Sequence, residues 1–150
     1  MKEIYMKHAL EEAEKAYRIG EVPVGAIIVR GNKVIARSYN MRESLKQSIA
    51  HAEILAINMA CDELESWRLL DCEMYVTLEP CPMCAGAILQ SRIKKVYIGA
   101  SDLRLGSCGS IINILQNDNF NHWVDVEWMY NQECSEILTS FFKMKRNGSI

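Results

Sequence analysis

Two short segments of the sequence combine residue types that bind metals and move protons. One is His51-Ala52-Glu53, and the other is Pro80-Cys81-Pro82-Met83-Cys84. Cysteines at positions i and i+3 of a helix project to one side, and a helix N-terminus favours thiolate over thiol. Two thiolates and a neutral imidazole suit Zn²⁺, and the thiolates balance its charge. The pattern therefore predicts a zinc site.

The number of ligands separates a structural metal from a catalytic one. Structural zinc sites usually have four protein ligands. The sequence has no second Cys-x-x-Cys segment, and four cysteines have no paired spacing: Cys61, Cys72, Cys108 and Cys134. Three ligands and an open position are typical of catalytic zinc, which lowers the pKa of a bound water towards about 7. A redox-active cysteine pair and a structural zinc ion with a distant fourth ligand stay open as alternatives.

A carboxyl group accompanies the predicted ligands. Glu53 lies two residues after His51, so it can sit beside the metal without binding it. There it can take a proton from water, protonate a ring nitrogen and then protonate departing ammonia. The order H-x-E followed by P-C-x-x-C is the general signature of zinc nucleobase deaminases. Glu79, just before the cysteine segment, is predicted instead to be a capping or hydrogen-bonding carboxylate.

Composition indicates one globular domain over residues 1–150. The chain is 49% hydrophobic and 24% charged, which argues against disorder. No apolar run approaches the roughly 20 residues that span a bilayer, and no secretory signal is recognisable, so we expect a cytoplasmic protein without a membrane partner. The net charge is −2, but basic side chains are concentrated in residues 81–110 and 141–150. These islands are either solvated element ends or contacts for a nucleic acid.

Hydrophobic periodicity predicts alternating helices and strands. The predicted helices are 3–19, His51 to about Glu63, Pro82 to Leu89, a short one over Ile111–Leu115, and Cys134–Arg146. The predicted strands are Val24–Val29, Lys33–Ser38, Met74–Leu78, Lys95–Ala100 and an edge strand over Val124–Met129. The first two strands form a hairpin around Gly31-Asn32, and 40–50 and 101–110 are loops. This order predicts a mixed sheet with helices on both faces.

At these segments the sequence resembles the bacterial tRNA-specific adenosine deaminases, within the cytidine deaminase superfamily. The resemblance extends over nearly the whole chain. Its main segments are GEVPVGA at 20–26, AHAEI at 50–54, SWRL at 66–69, YVTLEPCPMCAGA at 75–87, NH at 121–122 and FF at 141–142. The zinc segments occur across the superfamily, whereas TLEPCPMCAGA together with the later NH and FF strings is specific to the tRNA enzymes.

The resemblance implies a three-layer α/β/α sandwich around a five-stranded mixed sheet, which is the cytidine deaminase-like fold, and a homodimer. It also implies hydrolytic deamination of adenosine to inosine at the wobble position of an arginine tRNA. The partner would be the tRNA anticodon stem-loop, with one Zn²⁺ per subunit. In that reaction zinc-bound hydroxide attacks C6 of the flipped adenine, Glu53 shuttles the protons, and ammonia leaves.

The resemblance also implies a role for particular positions. His51, Cys81 and Cys84 would be the zinc ligands, Glu53 the catalytic residue, and Asn40 the residue that orients the target nucleotide. The implied RNA contacts are Asp102 and Arg104 beside the site, Asn121 and His122 in an anticodon-loop pocket, and Lys143 and Arg146 on the backbone.

The chain departs from the family pattern at two places near the implied RNA contacts. Leu103-Arg104-Leu105 replaces a loop that is more often Pro-Lys followed by small residues, and Trp123 stands where relatives commonly have Arg. A tryptophan loses the positive charge but can stack on a base. Two other functions stay open. One is a deaminase for guanine, cytosine, cytidine or a related small molecule, and the other is a non-catalytic zinc module that binds RNA or a protein.

Overall fold

The computed structural model describes residues 1–148. The helices are α1 (Lys2–Arg18), α2 (Arg42–Leu45), α3 (Ala52–Leu64), α4 (Pro82–Gln90) and α5 (Gln132–Arg146). The strands are β1 (Gly25–Arg30), β2 (Lys33–Tyr39), β3 (Cys72–Val76), β4 (Lys95–Ile98) and β5 (Asp125–Trp128). They form one sheet in the order β2-β1-β3-β4-β5. β1 runs antiparallel to both neighbours, whereas β3, β4 and β5 are parallel, so the sheet is mixed.

Strand β1 explains why helices cover both faces of this sheet. Its side chains alternate between two separate apolar clusters, since successive residues of a strand point to opposite faces. Ile27 and Val29 pack in the cluster beneath α1, and Ala26 and Ile28 pack in the cluster beneath α3 and α4. Helix α5 packs against α1, and the centres of the Tyr17 and Phe141 rings are 5.7 Å apart. The predicted three-layer α/β/α sandwich with a five-stranded mixed sheet is confirmed.

The predicted hairpin and edge strand are confirmed as well. β1 and β2 pair through a turn at Gly31, whose φ of +63° costs glycine less than any residue with a side chain. β5 pairs with β4 and ends the sheet. Among residues 1–148, no helix is long and apolar enough to cross a bilayer.

Two predicted segments differ from the structure. Residues 111–115 are not a helix, because the amides of Ile111 and Ile112 both donate back to the carbonyl of Gly106 and Cys108 forms a bridge with Asn113. The chain can reverse there because Gly109 has a φ of +139°. The predicted loop 40–50 contains the short helix α2.

Candidate active site

The two candidate metal-binding segments meet at the N-termini of two helices. His51 is the N-cap residue of α3 and Cys81 is that of α4, each with an extended backbone. Pro82 occupies the start of α4, where its missing N–H costs nothing. Helices α3 and α4 pack on the same face of the sheet. Both positive helix ends therefore point to one place, which favours anionic sulfur there.

The three donor atoms have the spacing of a tetrahedral metal site. His51 Nδ1 lies 3.6 Å from Cys81 Sγ and 3.5 Å from Cys84 Sγ, and the three atoms lie within 4.8 Å of one another. In a tetrahedral zinc site, with bonds of about 2.1 Å to nitrogen and 2.3 Å to sulfur, such atoms are roughly 3.6 Å apart. These residues therefore fit Zn²⁺ without rearrangement. In the described part of the chain, this is the one cluster of His, Cys, Asp or Glu side chains with such spacing.

The pKa shifts of the three donor side chains agree with a role in metal binding. A hydrogen bond from the Cys84 thiol, with further ones from His51 and the Cys84 amide, lowers the pKa of Cys81 to about 4. The hydrogen bond to Cys81 raises the pKa of His51. The same donation to Cys81, together with burial, raises the pKa of the Cys84 thiol. The arrangement therefore favours a thiolate at Cys81, and a metal cation would supply the charge that releases the proton of Cys84.

Glu53 lies beside the donor atoms but is not one of them. It is in the first turn of α3, is 4% exposed, and contacts the Cys84 side chain. Burial raises the pKa of its carboxyl group to about 7. A carboxyl group with a pKa near neutrality can both accept and release a proton, which is what general acid–base catalysis requires.

These groups open into a cavity of about 550 Å³, a volume typical of small-ligand sites. His51, Glu53 and Cys81 line its inner end. Four segments form its walls: residues 20–24 before β1, α2 with Asn40, the loop 101–105, and α5 from its middle to its end. The wall from α5 contributes Leu138, Phe142 and Lys145. The cavity therefore combines polar reactive groups at one end with an apolar and basic rim.

Asn40 lies in this cavity, as predicted for a substrate-orienting residue. Its side chain is buried at 7% exposure and is held on both sides. Its amide nitrogen donates to the Val22 carbonyl, and its amide oxygen accepts from the Arg42 amide. The side chain is therefore fixed before any ligand arrives.

The predicted RNA contacts are separated into two groups. Asp102 and Arg104 line the cavity, and Arg146 lines an adjoining groove with Arg104, Phe142 and Lys145. Lys143 is exposed but lines neither. Asn121 and His122 do not line the cavity either. His122 hydrogen-bonds to the Ile93 carbonyl, just before β4, whereas the cavity lies beyond the opposite end of that strand.

Sequence reasoning missed two features of the cavity. Glu21 accepts hydrogen bonds from the amides of Glu43 and Ser44 and from the Ser44 hydroxyl, and so holds α2 in place. Burial alone would raise the pKa of Glu21, but these bonds keep it below its usual value. The only signal was its place in the GEVPVGA segment. Lys145 was part of the basic island, but nothing in the sequence distinguished it from Lys143.

Comparisons of the sequence and of the structure with known proteins both find similar deaminases. Residues 1–146 match the family model described as MafB19-like deaminase. The tRNA-specific adenosine deaminase of Bacillus subtilis (strain 168) is 49% identical over 145 residues, which cover 96% of this chain and 90% of that protein. One solved structure comes from studies of A-to-I editing by tRNA:A34 deaminases at the wobble position of transfer RNA. It has a TM-score of 0.86 and 43% identity, covering 90% of this chain and 99% of that one.

A guanine deaminase structure from Bacillus subtilis is less similar. It has a TM-score of 0.63 and 28% identity, although it covers 97% of this chain and 93% of that one. The fold is therefore shared with a deaminase whose substrate is a free base, while both identity and structural agreement are higher for proteins that act on tRNA.

The geometry of the donor atoms predicts which cysteines hold a metal. Substituting Cys84→Ala should reduce the zinc content from about one ion per chain to near zero, because two ligands bind far more weakly than three. The Cys61→Ala variant is the matched control, since Cys61 is half-buried at the far end of α3. Elemental analysis by mass spectrometry measures both. Equal zinc in the two variants would contradict the assignment.

Proposed function

Because the chain belongs to the family of tRNA-specific adenosine deaminases, we propose that it converts adenosine to inosine at the wobble position of tRNA. Water is consumed and ammonia is released. The observation that carries this proposal is the cluster of donor atoms from His51, Cys81 and Cys84, which lies at a cavity lined by His51, Cys81 and Glu53. We also propose one zinc ion per subunit, held by His51 Nδ1 and the two thiolates, in a single deaminase domain over residues 1–150.

The chain's own residues account for the proton movements. When bound, Zn²⁺ supplies a lowered pKa for a water molecule at its open position. The Glu53 carboxylate takes one proton of the attacking water and delivers it to ring nitrogen N1 of the adenine, where it stays. It then takes the second proton from the oxygen now bonded to C6 and gives it to the departing amino group. One proton acceptor thus serves each step, and the atoms balance as adenosine plus water giving inosine plus ammonia. The buried position of Glu53 keeps bulk water from this path.

Orientation of the base is assigned to Asn40 and the cavity walls. The Asn40 amide is already fixed by Val22 and Arg42, so it can present one polar edge to the nucleotide at little entropic cost. A wobble nucleotide lies in a single-stranded loop, from which it can be splayed into a cavity at a low unstacking cost.

The anticodon stem-loop would be held by the basic rim. Arg104, Lys145 and Arg146 line one groove beside the cavity mouth and can contact phosphates next to the target nucleotide. Asp102 lies at the same rim. Lys143 lies on the same helix and could reach more distant phosphates, but it faces neither cavity nor groove. Because Asn121 and His122 do not line the cavity, we assign them no contact with a nucleotide bound in the cavity of one protomer.

Family resemblance supports three finer proposals. The substrate is an arginine tRNA with the anticodon ACG, the active form is a homodimer, and the site of action is the cytoplasm. A transcript of that tRNA, incubated with the purified protein and then sequenced, should show inosine at the wobble position. Turnover of free guanine or cytidine with no change in the tRNA would instead identify a small-molecule deaminase.

Glu53 is expected to be essential for the chemical step but not for the metal. The Glu53→Ala variant should retain about one zinc ion per chain and lose at least about a hundredfold in kcat, because the proton acceptor is gone. Single-turnover assays on the tRNA transcript measure the rate. Activity within about threefold of the unsubstituted protein would exclude Glu53 as the shuttle.

The groove predicts a difference between lysines on the same helix. Lys145→Ala and Arg146→Ala should each weaken tRNA binding and reduce the slope of log K against log salt by about 0.7, the value for one phosphate contact to a single strand. Lys143→Ala is the matched control and should change the slope less, since Lys143 does not line the groove. Binding titrations at several salt concentrations measure the slopes. Equal slopes for all three variants would show that the groove has no special role.

A further inference from the structure

We propose that Glu79 is a positioning residue that sets the affinity of the site for its substrate by fixing the loop 102–110. Glu79 follows β3 and comes two residues before Cys81. One carboxylate oxygen accepts from the Asp102 amide at 3.0 Å and from the Ser110 hydroxyl. The other accepts from the amides of Cys108 and Ser110, at 3.0 and 3.1 Å. A single side chain therefore fastens both ends of this loop.

The environment of Glu79 indicates that this is its main task. The side chain is 2% exposed, and within residues 1–148 no Lys, Arg or His forms an ion pair with it. Its charge is therefore balanced by four hydrogen bonds from the loop itself. The loop backbone passes directly over the carboxylate, since a β-carbon at Gly106 would overlap it. Buried carboxylates with no such donors are strongly destabilising, so this arrangement commits the loop to one conformation.

The loop held by Glu79 forms one wall of the substrate cavity. Asp102 at its start caps the following turn, because its carboxylate accepts from the amides of Arg104 and Leu105. The Arg104 guanidinium then lies 5.8 Å from the centre of the Phe142 ring on α5. The hydrogen bond that the Asp102 amide donates to Glu79 thus helps to determine where Arg104 lies at the cavity mouth. Preorganising this wall removes an ordering cost that substrate binding would otherwise bear.

The contacts also separate Glu79 from the chemical step. Glu79 does line the cavity, but all four of its side-chain hydrogen bonds go to the loop, and its oxygens are not among the clustered donor atoms of His51, Cys81 and Cys84. Loosening the loop should therefore raise KM while leaving kcat nearly unchanged. This expectation rests on the proposed function, because it requires that the cavity bind a nucleotide within RNA.

The test uses Glu79→Gln, which keeps the shape of the side chain but replaces one acceptor oxygen with a donor. With the tRNA transcript as substrate, we expect KM to rise about tenfold and kcat to stay within about threefold, the pattern for lost ground-state binding. Zinc content should stay at that of the unsubstituted protein. Amide hydrogen exchange at Asp102, Cys108 and Ser110 should accelerate, whereas exchange at Thr77, which bonds to the Gly25 carbonyl, should not.

Two further variants make the test independent of folding defects. Glu127→Gln is the matched control. Glu127 lies on β5, away from the cavity, and its carboxylate pairs with Lys2 and Lys95. This substitution should leave KM unchanged. Ser110→Ala removes one of the four donors with little effect on packing. It should raise KM by about two- to threefold. If Glu79→Gln does not fold, the KM of Ser110→Ala tests the proposal instead.

Three results would overturn the proposal: an unchanged KM, whether or not kcat falls, loss of zinc, or unchanged exchange of the three amides. The exchange measurement needs no RNA. An inactive but otherwise normal unsubstituted protein would therefore count against the proposed function, while the exchange data would still report on the loop.

Discussion

The contact of His51 with Cys81 and Cys84 joins segments thirty and more residues apart, and the other features of the cavity depend on it. Sulfur and nitrogen at 3.5–3.6 Å are held without any disulfide or backbone strain, because each segment begins a helix packed on the sheet. The parallel pairing of β3 with β4 brings the residues after both strands to the same edge. The cysteine segment, Glu79 and Asp102 therefore meet there.

The interior of the cavity and its rim carry different charged side chains. The inner part contains several carboxylates, and each is controlled by a distinct local arrangement. Glu53 has a raised pKa through burial, whereas Glu21 and Glu79 are stabilised by hydrogen bonds from the loops they hold. Basic side chains are contributed by Arg42 on α2, by Arg104 and by the end of α5. Under the proposed function, this separation would let a chain with a net charge of −2 hold RNA, since only the loop that enters the cavity needs phosphate contacts.

The sequence was sufficient for the reactive centre because its chemistry is local. The i, i+3 spacing of Cys81 and Cys84 and the two-residue step from His51 to Glu53 place each pair within one helical turn. The periodicity of apolar residues likewise predicted the strands of the sheet and the helices that cover it. The irregular segments were harder, because their structure depends on distant partners. Residues 111–115 are an apolar run that we predicted to be a short helix, but the amides of Ile111 and Ile112 donate to the Gly106 carbonyl instead.

The same limit applies to the cavity walls. Nothing near Glu21 in the sequence indicates that it holds Ser44, and no periodicity separates Lys145 from Lys143 at the end of α5. Such choices depend on how α5 packs across α1 and which of its sides then faces the cavity. On α4, Ile88 and Leu89 are buried within the protomer in the apolar cluster between the helix and the sheet.

The most direct measurement of the central claim is a crystal structure of the zinc-loaded protein with anomalous diffraction at the zinc edge. The account predicts one zinc ion per chain, bonded to His51 Nδ1 and to the sulfurs of Cys81 and Cys84 at about 2.0–2.3 Å. Its fourth position should be taken by a water molecule on the cavity side, next to Glu53. A fourth protein ligand that closes the site, or zinc bound elsewhere, would contradict the account.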